Sequence, residues 1–137
     1  MLDHTDKRII EELSKNGRIS MKELGQLVHL TGQAAANRVS RLEEEGFIEG
    51  YTIRLNQEKA GLPVHAFIQI FMHGLYHAPY IAFVQQQAAI IHHYKTGGDS
   101  CYMMECRFPS NAALDQFLTE LNEHANYRLT IVINQTL

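Results

Sequence analysis

The sequence predicts an α+β chain of two units. The first, over residues 1–60, is a winged-helix-like helix-turn-helix closed by a linker strand. The second, over residues 61–137, is ferredoxin-like, with the order βαββαβ. Three observations carry this prediction. Residues 20–45 hold two capped apolar periods separated by only three residues. The second half alternates short Phe-, Ile- and Tyr-rich runs with helical stripes, which is the split βαβ pattern. Charge also changes between the halves: nine of the twelve Lys and Arg, and ten of the fifteen Asp and Glu, lie in residues 1–60.

In chain order, Asp3 caps a first helix and Asp6 suits its dipole. Ile9, Ile10 and Leu13 form its inner face, and Gly17 is the expected stop. Ser20 and Glu23 read as a capping box, with Ile19 and Leu24 as its hydrophobic staple. That places a second helix at about Ser20–Val28, packed by Leu24, Leu27 and Val28. The turn His29-Leu30-Thr31 follows. Thr31 caps a third helix to about Glu45, which hides Ala35, Val39 and Leu42 and shows Gln33, Asn37, Arg38 and Arg41. Tyr51–Leu55 alternates as a strand, and Asn56–Pro63 reads as a linker. The second unit then reads as strand Val64–Met72, a helix started by Pro79, strands Ile90–Tyr94 and Tyr102–Phe108, a helix capped by Ser110 with the stripe Ala113, Leu114, Phe117, Leu118 and Leu121, and a last strand Leu129–Ile133. Four strands with both helices on one face leave the other face bare, and a bare face calls for a partner.

The composition narrows the function. A net charge of −3 over 137 residues excludes a broad basic field, so nucleic-acid binding must use a local patch and gain from repeated copies. Cys101 and Cys106 form no disulfide framework and read as free thiols of a reducing compartment. His65, Gln69, His73, His77 and Pro79 interrupt the most apolar stretch and argue against a membrane span. With a polar N-terminus, this places the protein in the cytoplasm. Eight histidines invite a metal, but His92 and His93 are strand neighbours facing opposite ways and no zinc spacing is present. No nucleophile elbow, P-loop or dinucleotide motif occurs, so neither an enzyme nor a cofactor is expected.

The third helix carries the functional reading. A helix packed by one face, with amide and guanidinium groups on the other, fits a DNA major groove. Arg38 and Arg41 share a face and suit phosphates or a guanine edge. Gln33 and Asn37 suit adenine or phosphate. Arg18, Lys22 and Thr31 lie where helix starts can dock phosphate. The bland alternative for all of them is a solvated surface.

The chain resembles the Lrp/AsnC family of transcription regulators along nearly its whole length. The residues that carry the likeness are Leu2-Asp3, Asp6, Ile9, Leu13, Gly17-Arg18-Ile19-Ser20, Leu24, Arg38-Val39, Leu42-Glu43, Gly46-Phe47-Ile48 and Gly50-Tyr51-Thr52, followed by βαββαβ. The resemblance implies a nucleoid-associated, DNA-binding regulator, with dimers that build octamers and bend or wrap double-stranded DNA. It also implies a second domain that senses an amino-acid effector through a Gly-x-x-Asp turn. That turn falls on Gly98-Asp99-Ser100-Cys101, where Cys101 replaces the carboxylate and only Asp99 could substitute for it. This departure weighs against a usual effector response. Two other readings compete: a tetrapyrrole decarboxylase of the haem pathway, which shares the arrangement, and a stand-alone amino-acid-binding module.

Overall fold

The computed structural model describes residues 1–137, which divide into two compact units, Met1–Arg54 and Leu55–Leu137. The first unit consists of α1 (His4–Lys15), α2 (Met21–Val28) and α3 (Gly32–Glu44). Helix α1 starts in a full capping box: Asp3 accepts from the Asp6 backbone N–H, and Asp6 accepts from that of Asp3. It ends at Asn16, one residue before the expected glycine. At α2 only half of the expected box forms. The Ser20 hydroxyl accepts from the Glu23 N–H at 3.1 Å, while the Glu23 side chain stays in solvent. Ile9, Leu24, Val28, Ala35, Val39 and Leu42 form the core of this unit, with Ile19 packed against it as the staple requires.

The expected linker strand Tyr51–Leu55 does not form. These residues join no ladder, and Tyr51, Ile53 and Leu55 are exposed. The alternation is present, but a strand needs a neighbour to take its N–H and C=O groups, and none lies beside it.

The second unit runs β1 (Val64–Phe71), α4 (Ala78–Gln85), β2 (Ile90–Lys95), β3 (Tyr102–Phe108), α5 (Asn111–Leu121) and β4 (Asn126–Ile131). Its antiparallel sheet has the order β2-β3-β1-β4. Strand β4 begins and ends earlier than its apolar run suggests, because Phe71 pairs with Asn126 and Ala66 with Ile131. Ala66, Ile68, Ile70, Tyr102, Met104, Cys106 and Phe108 face the helices and pack on Tyr80, Leu114, Phe117 and Leu121. Strand alternation puts His65, Phe67, Gln69, Met103, Glu105, His92, Tyr94 and Arg128 on the opposite face, which no element covers. Glu105 binds that face across three strands: its oxygens lie 2.6 Å from His65 Nε2 and 2.9 Å from His92 Nδ1.

Candidate nucleic-acid interface and effector turn

The α2–α3 turn is built around one glycine. His29 caps α2 in the left-handed region, with φ of 62°, and the Leu30 N–H returns to the Gly25 carbonyl at 2.8 Å. A Cβ on Gly25 would stand 2.5 Å from the Leu30 carbonyl oxygen and 2.9 Å from that of Thr31. Those are fixed backbone atoms, so only glycine lets the two helices meet at this angle. Thr31 then caps α3, accepting from the Ala34 N–H at 3.1 Å. A Cβ on Gly32 would be 3.4 Å from the Lys22 Cα, so the first turn of α3 rests against the start of α2.

Helix α3 buries Ala35, Val39 and Leu42 and exposes Gln33, Asn37 and Ser40 along the other side. Gln33 Nε2 donates to Asn37 Oδ1 at 3.0 Å, which fixes both amides along the helix. Ser40, one turn beyond Asn37, was not singled out by sequence. Its spacing of three from Asn37 is the signal that could have found it. Arg18, Lys22 and Thr31 are exposed around the start of the two helices.

Arg38 and Arg41 are not the free side chains that the sequence suggests. Arg41 Nη2 donates to Asp6 Oδ2 at 2.6 Å, Arg38 Nη1 donates to Asp6 Oδ1 at 3.2 Å, and the same nitrogen donates to Asp3. The Asp6 side chain is 1 % exposed, whereas Arg38 and Arg41 are 31 % and 44 % exposed. The reason is electrostatic: a buried carboxylate at the start of α1 needs counter-charge, and these two guanidiniums are within reach. The acids raise the Arg38 pKa above its ordinary value, Asp3 first and Asp6 second. The Asp6 backbone bond, followed by Arg38, lowers that of Asp3. Each guanidinium spends a single nitrogen on the acids, which leaves its other N–H groups unbonded. The result is two cations held in place on α3 with donors still available.

In the 98–101 turn, Gly98 has φ of +92°. Ser100 is buried and turned inward, its Oγ 3.0 Å from Thr96 Oγ1, which also donates to the Ser100 carbonyl at 2.8 Å. Cys101 packs partly against the core. Asp99 is exposed and is the one carboxylate of the turn. Nearby, His77 Nε2 and Nδ1 each lie 2.8 Å from a partner, the Gly74 carbonyl and the Tyr102 hydroxyl. His93 bonds the Tyr80 hydroxyl at 2.8 Å on the helix side of the sheet, and burial lowers its pKa. His92 and His93 thus serve opposite faces. Burial also pushes the Cys106 thiol up to about 12, which makes it inert filler.

Comparison with known proteins agrees along the whole chain. Residues 2–49 match a model described as winged helix-turn-helix DNA-binding, and residues 65–137 match one described as the Lrp/AsnC ligand binding domain. The chain is 51 % identical over 136 residues to the HTH-type transcriptional regulator LrpA of Bacillus subtilis, covering 98 % of this chain and all of that protein. The solved structure of B. subtilis LrpC superposes with a TM-score of 0.92 at 30 % identity, covering 98 % of this chain and 96 % of that one. A transcriptional regulator from Neisseria meningitidis, solved as a complex with L-methionine, also gives a TM-score of 0.92, at 25 % identity over 100 % and 93 % of the two chains.

Proposed function

The chain belongs to the Lrp/AsnC family of DNA-binding transcriptional regulators, and on that premise we propose that α3 reads DNA with cations braced by Asp6. Gln33, Asn37 and Ser40 face base edges. Arg38 and Arg41 meet phosphates with the N–H groups that the acids leave free, and Arg18, Lys22 and Thr31 hold the flanking backbone. The carrying observation is the 1 % exposed Asp6 beneath two partly exposed arginines. A brace of this kind removes side-chain freedom before binding, so less entropy is lost on contact.

The bare sheet face supports assembly. Copies pair through it into dimers, and dimers gather into octamers that bend or wrap double-stranded DNA. Multiple recognition helices then offset a net charge of −3 through avidity. An amino-acid effector, if used, meets the exposed Asp99 at the 98–101 turn, with Gly98 giving backbone access and Cys101 contributing no charge. The protein acts in the cytoplasm, on the nucleoid.

The test is binding to a curved, A-tract-rich duplex and to a straight duplex of equal length, across salt and protein concentration. Cooperative, salt-sensitive binding that prefers the curved duplex is expected. Equal non-cooperative binding to both removes wrapping, and binding to neither removes the reading.

A further inference from the structure

A recess lies at the end of β3 opposite the 98–101 turn. Cys101 and Arg107 bracket six residue steps, about 20 Å along a strand. The recess is a cleft of about 560 Å³ with nine lining residues, among them Leu62, Ala88, Ala89, Ile91, Arg107 and Ala113. Its walls come from the turn before β1, the α4–β2 connection, the edge of β2, the end of β3 and the first turn of α5. All but two of these residues are apolar, and the only charged one is Arg107.

Arg107 lacks counter-charge. It takes part in none of the ion pairs of the chain. Nη1 donates to the Leu62 carbonyl at 3.2 Å, and Nε is buried without a partner. Elsewhere in the chain cationic or ionisable donors have found carboxylates: Arg38 and Arg41 hold Asp6, and His65 and His92 hold Glu105. A guanidinium half out of water, with donors unspent, attracts a carboxylate, which its fork can hold through two hydrogen bonds.

We infer that this cleft binds a short apolar carboxylate that carries no amine, such as a branched-chain 2-oxo acid or its deoxy analogue. The carboxylate pairs with Arg107, and the hydrocarbon end lies on Leu62, Ile91 and Ala113. The missing acid sets the specificity. No Asp or Glu lines the cleft, so the α-ammonium of an amino acid would be desolvated there without a partner. A ligand with the carbon skeleton of an amino acid is therefore accepted only after its nitrogen is gone. That complements the 98–101 turn, where Asp99 supplies a carboxylate. The inference concerns residues of the second unit alone and does not depend on how α3 meets DNA.

The test uses three probes of one skeleton: 4-methylpentanoate, L-leucine and 4-methylpentan-1-ol. The full chain carries ¹³C-labelled alanine methyls, so Ala88, Ala89 and Ala113 report from the cleft walls. Titration with 4-methylpentanoate is expected to shift those three methyls, with a dissociation constant in the millimolar range or below. Arg107→Gln should weaken binding at least tenfold. L-leucine and the alcohol should leave the three methyls in place, even if L-leucine shifts signals near the 98–101 turn. Ala113→Leu, which narrows the cleft and keeps Arg107, should also abolish the shifts of the two reporters it retains, Ala88 and Ala89, and it serves alone if Arg107→Gln fails to fold. No movement of the three methyls with 4-methylpentanoate overturns the inference. So does equal affinity in the variants, or equal binding of L-leucine at those methyls. DNA binding of the same preparation is measured separately, so either reading can fail without the other.

Discussion

Asp6 and Arg41 should be energetically coupled by far more than a surface ion pair, and a double-mutant cycle can measure it. The variants are Asp6→Asn, Arg41→Gln and both together. Their atoms meet at 2.6 Å, with Asp6 1 % and Arg41 44 % exposed. Two unit charges about 4 Å apart interact by about 4 kcal/mol at an effective dielectric of about 20. Water on the exposed side of Arg41 screens part of that, and Arg38 remains as a second partner for Asp6 at 3.2 Å. We therefore expect a coupling of about 2 kcal/mol. Asn at position 6 keeps an acceptor for the Asp3 N–H, so the capping box survives and the loss reports the charge. The two units can unfold separately, so the assay is urea unfolding followed by the methyl signals of Ile9 and Leu42, both in the first core. A coupling below about 0.5 kcal/mol, the ordinary value of an exposed pair, would refute the brace.

Other expectations follow from the same geometry. Asn37→Ala should lower DNA affinity and leave stability within about 0.5 kcal/mol, since Asn37 is exposed and bonds only Gln33; an unchanged gel shift would remove it from the interface. Gly25→Ala should cost about 3 kcal/mol, because its methyl would meet the Leu30 carbonyl at 2.5 Å; a near-normal urea midpoint would contradict this. Phe67→Asp puts a charge in the middle of the bare face and should reduce the oligomer, read by light scattering at constant helical content; an unchanged mass would move the interface elsewhere. Stability should fall in two acid steps. His93 is held neutral by burial, so its folded pKa lies below its unfolded value, and its contribution is lost as pH drops below about 6.5. In Glu105 burial pushes the pKa up, but hydrogen bonds from His92 and then His65 outweigh it. Glu105 and Asp3 both sit below the ordinary carboxylate value. Their contributions hold above about pH 4 and are lost as pH falls through the lowered values. His93→Phe should erase the first step in a pH series of urea midpoints.

The elements legible in the sequence are those whose signal is local. Ser20, Thr31 and Ser110 each cap the helix expected of them, because a hydroxyl before an apolar period satisfies a backbone donor three residues on. The β1, β3 and α5 patterns read directly as well, since burial on one face leaves a period of two or of 3.6. What was hidden depends on partners distant in sequence. Arg38 and Arg41 lie more than thirty residues from Asp6, and nothing in their own helix shows which way they turn. The Tyr51–Leu55 alternation is a strand signal without a neighbour in its own chain, so local pattern and ladder disagree. Strand β4 begins three residues before its apolar run because ladder register with β1, not hydrophobicity, sets its start. The Arg107 cleft left no sequence trace, as its walls come from three separate stretches, 57–62, 88–91 and 107–113.

The acid brace also bears on how a net-acidic chain can hold DNA at all. Asp3 and Asp6 bring two negative charges next to the arginines that α3 offers, so one copy presents little net positive field. Long-range steering is correspondingly weak, because at physiological salt only charges within about 8 Å act unscreened. Such a helix gains from fixed geometry what it loses in field. On the proposed reading it makes few, well-placed contacts whose salt dependence per copy is shallow, about 0.9 in log affinity per log salt for each phosphate met. On the proposed reading, strong binding then comes from number. The steep salt response expected of the assembled protein is a sum over recognition helices, and it should flatten in proportion as assembly is lost. A basic monomer would bind anywhere, whereas the proposed assembly of braced helices would bind where several copies can engage together, which favours DNA that bends to meet them.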